Sequence, residues 1–275
     1  MTIKRTALLL SATLTISACG AGADPGLDPA NESDAPVIQI TSEGGFAPVE
    51  MILNRGPRYT LTADRRLIYE GPTTMEFPGR LIPNYQVATI SDQQMRLVLE
   101  LVDEIGLPEI EREIDDTAAS RVADATTEVV TYWDETGQHT YGVYALGIDL
   151  DEPEPPATEA FGRLMSLMGE LVAGDAEPYV PEQVRIVAGP GFVHEDFEDI
   201  RDWPLPDEDL SDWETLPNGW LCKAFDPGVL STFEDATQVT VWRWVPGDDP
   251  TLADAEFLDL LVRPLHPGEP DCPTN

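Results

Sequence analysis

Two runs of carboxylates contain the residues of this chain that are best placed to do chemistry at short spacing. Asp149 and Asp151 lie in one run, and Asp207 and Asp209 lie in the other. Calcium takes oxygen ligands from flexible loops, so these four residues are candidate calcium ligands, although neither run fits an EF-hand loop. In a chain with 51 acidic residues such clusters also arise by chance. A secreted-side hydrolase that uses a carboxylate pair is an alternative, and the sequence singles out no pair for it.

The motifs of other catalytic classes are missing from the sequence. It contains neither the Gly-x-Ser-x-Gly nor the Ser-x-x-Lys pattern of serine hydrolases, no glycine-rich phosphate loop and no His-Glu-x-x-His zinc motif. We therefore assign no catalytic residue and expect no cofactor, with calcium as the one exception. The sequence favours a non-catalytic binding protein over an enzyme.

The N-terminus has the order of a secretory signal. Lys4 and Arg5 precede an apolar run from Ala7 to Ile16, which is followed by small residues and Cys19. A cysteine at this point resembles a bacterial lipobox, in which the cysteine is acylated and becomes the new N-terminus. The resemblance implies a signal peptide over 1–18, lipidation of Cys19 and export to the outer face of the membrane or the cell envelope. An ordinary signal peptide with a chance cysteine is the alternative.

Charge limits the partners of the mature chain. The sequence has 16 basic and 51 acidic residues and a formal net charge of −35, which falls to −37 when Lys4 and Arg5 leave with the signal peptide. Nucleic acid is excluded as a partner, because its binding rests on Lys and Arg that neutralise phosphates. We expect the membrane to be contacted through the N-terminal lipid alone, and an envelope or extracellular protein to be the partner. Adaptation to high salt also fits this charge.

The remaining two cysteines, Cys222 and Cys272, form an even pair in an exported chain. Disulfides persist in oxidising compartments, so we predict a bond between them. This bond would hold the C-terminal tail to the start of a smaller unit over 217–275.

The hydrophobic pattern predicts an α+β fold, in which antiparallel hairpins pack with two main amphipathic helices. A flexible tether over 19–36 leads into a body over 37–190. The first helix begins after Ser91, whose spacing to Gln94 fits a capping box, and ends at Gly106. The second helix runs from about Thr158 to Ala173, and 70–90 is mostly loop. A hairpin followed by a helix occurs in each half, which suggests a two-fold repeat over 37–110 and 117–190.

An acidic linker over 191–216 separates this body from the disulfide-bonded C-terminal unit. In that unit Trp242 and Trp244 point to the same face if their segment is a strand. They are either part of the core or an aromatic surface for a sugar or a peptide.

Two resemblances extend this interpretation. The first rests on the N-terminal motif, the tether, Ile40-x-x-x-Gly44-Gly45-Phe46, Val262-Arg263-Pro264-Leu265 and Cys272. In these features the chain resembles exported lipoproteins of high-GC bacteria such as actinobacteria. This resemblance transfers no catalytic residue.

The second resemblance covers only residues 37–107, which are similar to emfourin, a small bacterial inhibitor of metalloproteases. It rests on a strand, the stretch Gly44-Gly45-Phe46-Ala47, a hairpin and the helix after Ser91. It implies that residues near Phe46 enter a protease. The sequence as a whole thus favours a membrane-anchored surface lipoprotein that binds an envelope or extracellular component.

Overall fold

Two β-sheets and a pair of long helices build the part of the chain that the computed structural model describes, residues 34–148, 154–193, 199–243 and 256–273. The fold is α+β, and most neighbouring strands are antiparallel, as the sequence predicted. Cys19 and the predicted signal peptide lie outside the described residues. No helix in those ranges is long and apolar enough to cross a membrane.

The first sheet has eight strands in the order β5-β7-β6-β1-β2-β3-β4-β8, and only the β5–β7 pair is parallel. Its strands are β1 (Pro36–Gly44), β2 (Tyr59–Thr62), β3 (Arg66–Glu70), β4 (Tyr85–Thr89), β5 (Arg112–Asp115), β6 (Thr126–Asp134), β7 (Gly137–Tyr144) and β8 (Glu177–Pro178). The strand β4 lies within the stretch that the sequence predicted to be mostly loop. The strand has only five residues, and its buried residues, Tyr85 and Ala88, are three positions apart, so the sequence shows no alternating pattern there.

Two long helices pack on one face of this sheet, and a short helix, α1 (Val49–Asn54), follows β1. The helix α2 (Asp92–Ile105) begins with the predicted capping box: the Gln94 amide donates to the Ser91 side chain, and the Gln94 side chain accepts from the Ser91 amide. It ends at Gly106, whose left-handed φ of 83° favours glycine. The helix α3 (Pro156–Leu171) starts two residues earlier than predicted, because proline fits the first helical position.

The first core lies between these helices and the sheet. Val98 and Val102 of α2 and Leu164 and Met168 of α3 are fully buried against β-strand side chains. The removal of each such side chain from water contributes about 2 kcal/mol to the free energy of unfolding. The buried strand residues of this core include Ile38, Ile40, Leu61, Leu67, Val130 and Tyr141.

The second sheet has six strands in the order β10-β13-β14-β9-β12-β11, of which β10 and β13 are parallel. Its strands are β9 (Val184–Pro190), β10 (Asp199–Asp202), β11 (Glu214–Thr215), β12 (Leu221–Phe225), β13 (Thr240–Arg243) and β14 (Phe257–Pro264). Short 3-10 helices span Leu107–Glu109, Thr117–Ser120, Leu210–Asp212 and Pro227–Thr232.

The second sheet takes strands from the predicted body, from the predicted acidic linker and from the predicted C-terminal unit. The strand β9 was placed at the end of the body over 37–190, but it pairs with β12 and β14 in the middle of the second sheet. The predicted acidic linker supplies β10 and β11 to the same sheet. A fully buried strand is apolar on both faces, so its sequence does not reveal which strands will pair with it.

The predicted repeat is only partly visible in the architecture. The hairpins β2–β3 and β6–β7 each precede a long helix, and the two helices pack side by side. The two halves nevertheless differ, because β4 comes between hairpin and helix in the first half and β5 pairs in parallel in the second. The repeat therefore stays a prediction.

The predicted disulfide is confirmed. Cys222 of β12 is bonded to Cys272 of the C-terminal tail, at a sequence separation of 50 residues. Both cysteines are buried in a small cluster with Val187 and Trp220. The bond thus holds the end of the described chain against the second sheet.

A buried ion pair lies where the two sheets contact each other, a region that we call the seam. Arg263 of β14 is 1% exposed, and its Nη1 and Nη2 donate to the two carboxylate oxygens of Glu269 at 2.8 and 2.7 Å. The amide of His266 donates to the same carboxylate at 2.8 Å. Gly56 lies so close that a Cβ there would be 2.2 Å from the hydroxyl of Tyr85 and 2.7 Å from Nη1 of Arg263. The seam therefore joins the tail, the second sheet and β4 of the first sheet.

Replacing both Cys222 and Cys272 by serine should lower the free energy of unfolding by about 4 kcal/mol, because the bond restricts a loop of about 50 residues in the unfolded chain. Urea unfolding of the double variant, with reduced wild-type protein as the control, measures this loss. Equal unfolding midpoints for the variant and the oxidised wild type would contradict the prediction.

Arg263→Met should destabilise the protein by about 3–5 kcal/mol, because it leaves the buried Glu269 carboxylate unpaired. The double variant Arg263→Met with Glu269→Met should recover part of that loss, limited by the His266 amide that it leaves without an acceptor. Urea unfolding at pH 7 checks both. A double variant that is no more stable than the single one would show that the unpaired charge is not the cause.

Candidate functional site

The loop after β1 presents a phenylalanine on a braced backbone. Gly44 and Gly45 have φ values of 65° and 80°, which side chains larger than glycine rarely tolerate. Nη1 of Arg55 donates to the carbonyl oxygens of Ser42 at 3.1 Å and Gly44 at 2.9 Å. The guanidinium thus joins the end of α1 to the end of β1 and fixes the loop between them.

Residues 46–52 form what we call the apolar projection. Phe46 is 91% exposed and Met51 is 61% exposed, and Val49 and Ile52 are exposed as well. None of the residues of α1, all of which the structure describes, is buried. Four large apolar side chains within seven residues are thus exposed to solvent on a chain that is otherwise strongly acidic.

The projection rests on the second sheet. Leu53 packs against the cluster that contains the disulfide, and Leu261 of β14 belongs to the same contact region. The helix α1 also contacts β14 directly. The projection is therefore attached to the disulfide-bonded unit, although it follows directly from a strand of the first sheet.

This arrangement suits binding. An aromatic side chain on a rigid loop loses little conformational entropy when it enters a partner's cleft, and such residues supply much of the affinity of protein interfaces. The loop that the emfourin resemblance singled out is therefore exposed and held in place. Whether a protease is the partner stays a prediction.

The calcium candidates do not converge in the described residues. Asp207 and Asp209 are both exposed, and the Asp209 carboxylate accepts from the Ser211 amide at 3.0 Å, which caps a 3-10 turn. Asp149 and Asp151 lie outside the described residues. Within the described ranges, no group of three or more His, Cys, Asp or Glu is placed to hold a metal ion.

Trp242 is part of the second core and not of a surface. It is 3% exposed, packs edge-on against Phe233 at a centroid distance of 5.7 Å, and has the Arg201 guanidinium 5.9 Å from its ring centroid. Trp242 is therefore not available for the aromatic binding surface that the sequence left open. Its suggested companion, Trp244, lies outside the described residues.

A hydroxyl–imidazole pair lies next to the buried ion pair. The Thr60 hydroxyl oxygen and Nδ1 of His266 are 2.9 Å apart, a distance that nucleophilic catalysis also uses. Both residues are buried, and burial lowers the pKa of His266 to about 4, so the imidazole is neutral at pH 7. His266 also borders a cavity of about 190 Å³, which includes Tyr179 and Glu182. With both reacting groups shielded from solvent, we interpret the pair as structural.

Two carboxylates beneath the projection, those of Asp259 and Glu50, interact electrostatically. Burial, together with the smaller effect of the neighbouring charge of Glu50 on α1, raises the pKa of Asp259 on β14 to about 7. A carboxyl group that is protonated near neutral pH beside a second carboxylate is a pattern of acid–base sites. Neither residue lines the cavity at His266, nor the groove between α2 and α3, so no cleft described here serves this pair.

The chain stands apart in comparisons with known proteins: no family model, no curated protein and no solved structure matches it. Its function is therefore inferred from the geometry of the described residues.

Sequence reasoning identified Phe46 but missed the rest of the projection and its support. Val49, Met51 and Ile52 lie in a segment too short for a clear helical period, and Arg55 gives no local sign of its carbonyl partners. The one sequence signal for the projection was that four of the seven residues 46–52 are large and apolar, with no alternating or helical pattern. The sequence did not point to Asp259, because the environment of this residue depends on α1, which is distant in sequence.

Asp259→Asn should make the protein more stable than wild type at pH 8 and equally stable near pH 4. The folded pKa of about 7 lies above the ordinary value of 3.8, so Asp259 contributes stability below pH 3.8 that is lost as the pH rises towards 7. His266 acts in the opposite sense: its folded pKa of about 4 lies below 6.5, so its contribution is full above pH 6.5 and falls with the pH. The variant's stability should therefore rise more steeply than that of wild type between pH 4 and 6.5.

Urea unfolding at pH 4.5, 6 and 8 tests this, with Asp207→Asn as the control because Asp207 is exposed. An Asp259→Asn variant that gains no stability over wild type at pH 8 would show that folding does not raise the pKa of this carboxyl group.

Proposed function

We propose that this protein is a lipid-anchored surface protein of the cell envelope that binds another envelope or extracellular protein through its apolar projection, without catalysis. The observation that supports this most directly is the exposure of Phe46 on a loop that Arg55 braces. An aromatic residue on a mobile loop would lose conformational freedom on binding, and this loss weakens the affinity. A residue on a braced loop is already ordered before it binds and avoids much of that loss.

The position of the projection fits such an anchor. The proposed tether ends where β1 begins at Pro36, and the projection follows the other end of β1 at Gly44. A strand of nine residues spans about 30 Å. The projection is thus well separated from the point at which the lipid tether would enter, and is accessible to a protein partner rather than to the membrane that holds the tether.

Protease inhibition is the more specific version of this proposal. It rests on the resemblance of residues 37–107 to emfourin, together with the rigid exposure of Phe46. An inhibitor that inserts a braced loop into an active-site cleft needs the loop to stay extended and ordered, and the Arg55 hydrogen bonds supply that order.

Phe46→Ala should reduce capture of the partner in crosslinking of the lipidated protein in cells by at least about tenfold, since an aromatic anchor at a hot spot contributes about 2 kcal/mol or more. Met75→Ala is the matched control, because Met75 is a fully exposed apolar residue on the β3–β4 loop. Mass spectrometry of the crosslinked material should show one dominant protein for wild type and for the control. Equal capture by the Phe46 variant would overturn the projection as the binding surface.

Arg55→Ala should give an intermediate loss in the same assay, because it leaves Phe46 in place but removes the brace. The inhibitor version is tested separately by adding the protein in large excess to secreted metalloproteases. Unchanged protease activity would overturn inhibition and leave the binding proposal to the crosslinking result.

A further inference from the structure

A groove runs along the outer seam between α2 and α3. The two helices are antiparallel: Arg163 in the middle of α3 pairs with Glu104 near the end of α2, and Glu170 near the end of α3 lies at the same groove as Leu97 in the first half of α2. Their inward side chains form the first core, and their facing outer sides enclose a volume of about 380 Å³. This groove is separate from the apolar projection.

The floor of the groove is apolar. Leu97 and Leu101 of α2 lie one helical turn apart, and Leu167 of α3 faces them. Leu97 is 42% exposed, so this part of the floor is open to solvent. The groove as a whole extends along α2 from Leu97 to Glu104, which is about two helical turns, or about 10 Å.

The rim of the groove is acidic. It carries Glu100, Glu104 and Glu170, against one cation, Arg163, which already pairs with Glu104. The side-chain carboxylates of Glu100 and Glu170 form no ion pair or hydrogen bond with any part of the chain that the structure describes. Two unpaired carboxylates thus flank a leucine floor.

We propose that this groove binds a basic amphipathic helix of another protein. An apolar groove between helices accepts the apolar face of a third helix, whose anchors recur at i, i+3 or i+4. Lys or Arg beside those anchors would lie next to Glu100 and Glu170 and form ion pairs with them. Such complementary charge selects the partner and raises the rate of association. The net charge of −35 strengthens this steering and disfavours acidic partners.

Binding of two designed peptides to the full chain tests the proposal. One is an 18-residue amphipathic helix of leucine and lysine, and the other has the same pattern with glutamate in place of lysine. Fluorescence anisotropy should show binding of the lysine peptide, weakening as salt is added, and no binding of the glutamate peptide. Failure of the lysine peptide to bind, or equal binding of both peptides, would overturn the proposal.

The groove variant is Glu100→Gln with Glu170→Gln, and its matched control is Glu113→Gln with Glu135→Gln, which removes the same charge from exposed positions outside the groove. The groove variant should bind the lysine peptide at least about tenfold more weakly, whereas the control should change by less than about twofold. Leu97→Ser should also weaken binding with unchanged thermal unfolding. Equal weakening by both glutamate variants would mean that only the general acidity of the surface attracts the peptide, and the proposal would fail.

Discussion

The ion pair between Arg263 and Glu269 is the contact on which the rest of the structure depends. A charge removed from water is costly unless it is paired and hydrogen-bonded, so burying Arg263 between the sheets requires Glu269 to lie beside it. That requirement fixes the course of the tail. With the tail in place, His266 reaches Thr60 of the first sheet and Cys272 reaches Cys222 of the second. One pair of charges thus positions contacts to both sheets.

The strand β14 connects this seam to the apolar projection. Its alternation directs Leu258, Leu260 and Val262 into the second core, whereas Leu261 belongs to the cluster against which α1 packs. Asp259 and Arg263 share that second face, one beneath α1 and the other at the seam. The rigid placement of the projection therefore follows from the same strand that closes the molecule.

The distribution of charge explains why binding should rely on apolar and basic partners. The chain has few cations, and several serve structure: Arg263 pairs inside the seam, Arg185 donates to the carbonyl oxygen of Asp271, and Arg55 braces the loop. The surface that remains is dominated by carboxylates, which repel acidic partners. Against that background the projection and the leucine floor of the helix groove are two features that offer apolar contact.

The sequence by itself determined the features whose causes are local. The Ser91 cap, the Gly106 end of α2, the apolar faces of the helices and the β2–β3 and β6–β7 hairpins each depend on residues within a few positions of one another. The Cys222–Cys272 bond was predictable because only one pair was available once Cys19 was assigned to lipid. Only the tertiary structure decided the partners of β9, the burial of Trp242, the charge state of Asp259 and the support beneath Phe46. Each of these depends on which distant segments come into contact, and that is set by the packing of two sheets around one buried ion pair rather than by any local pattern.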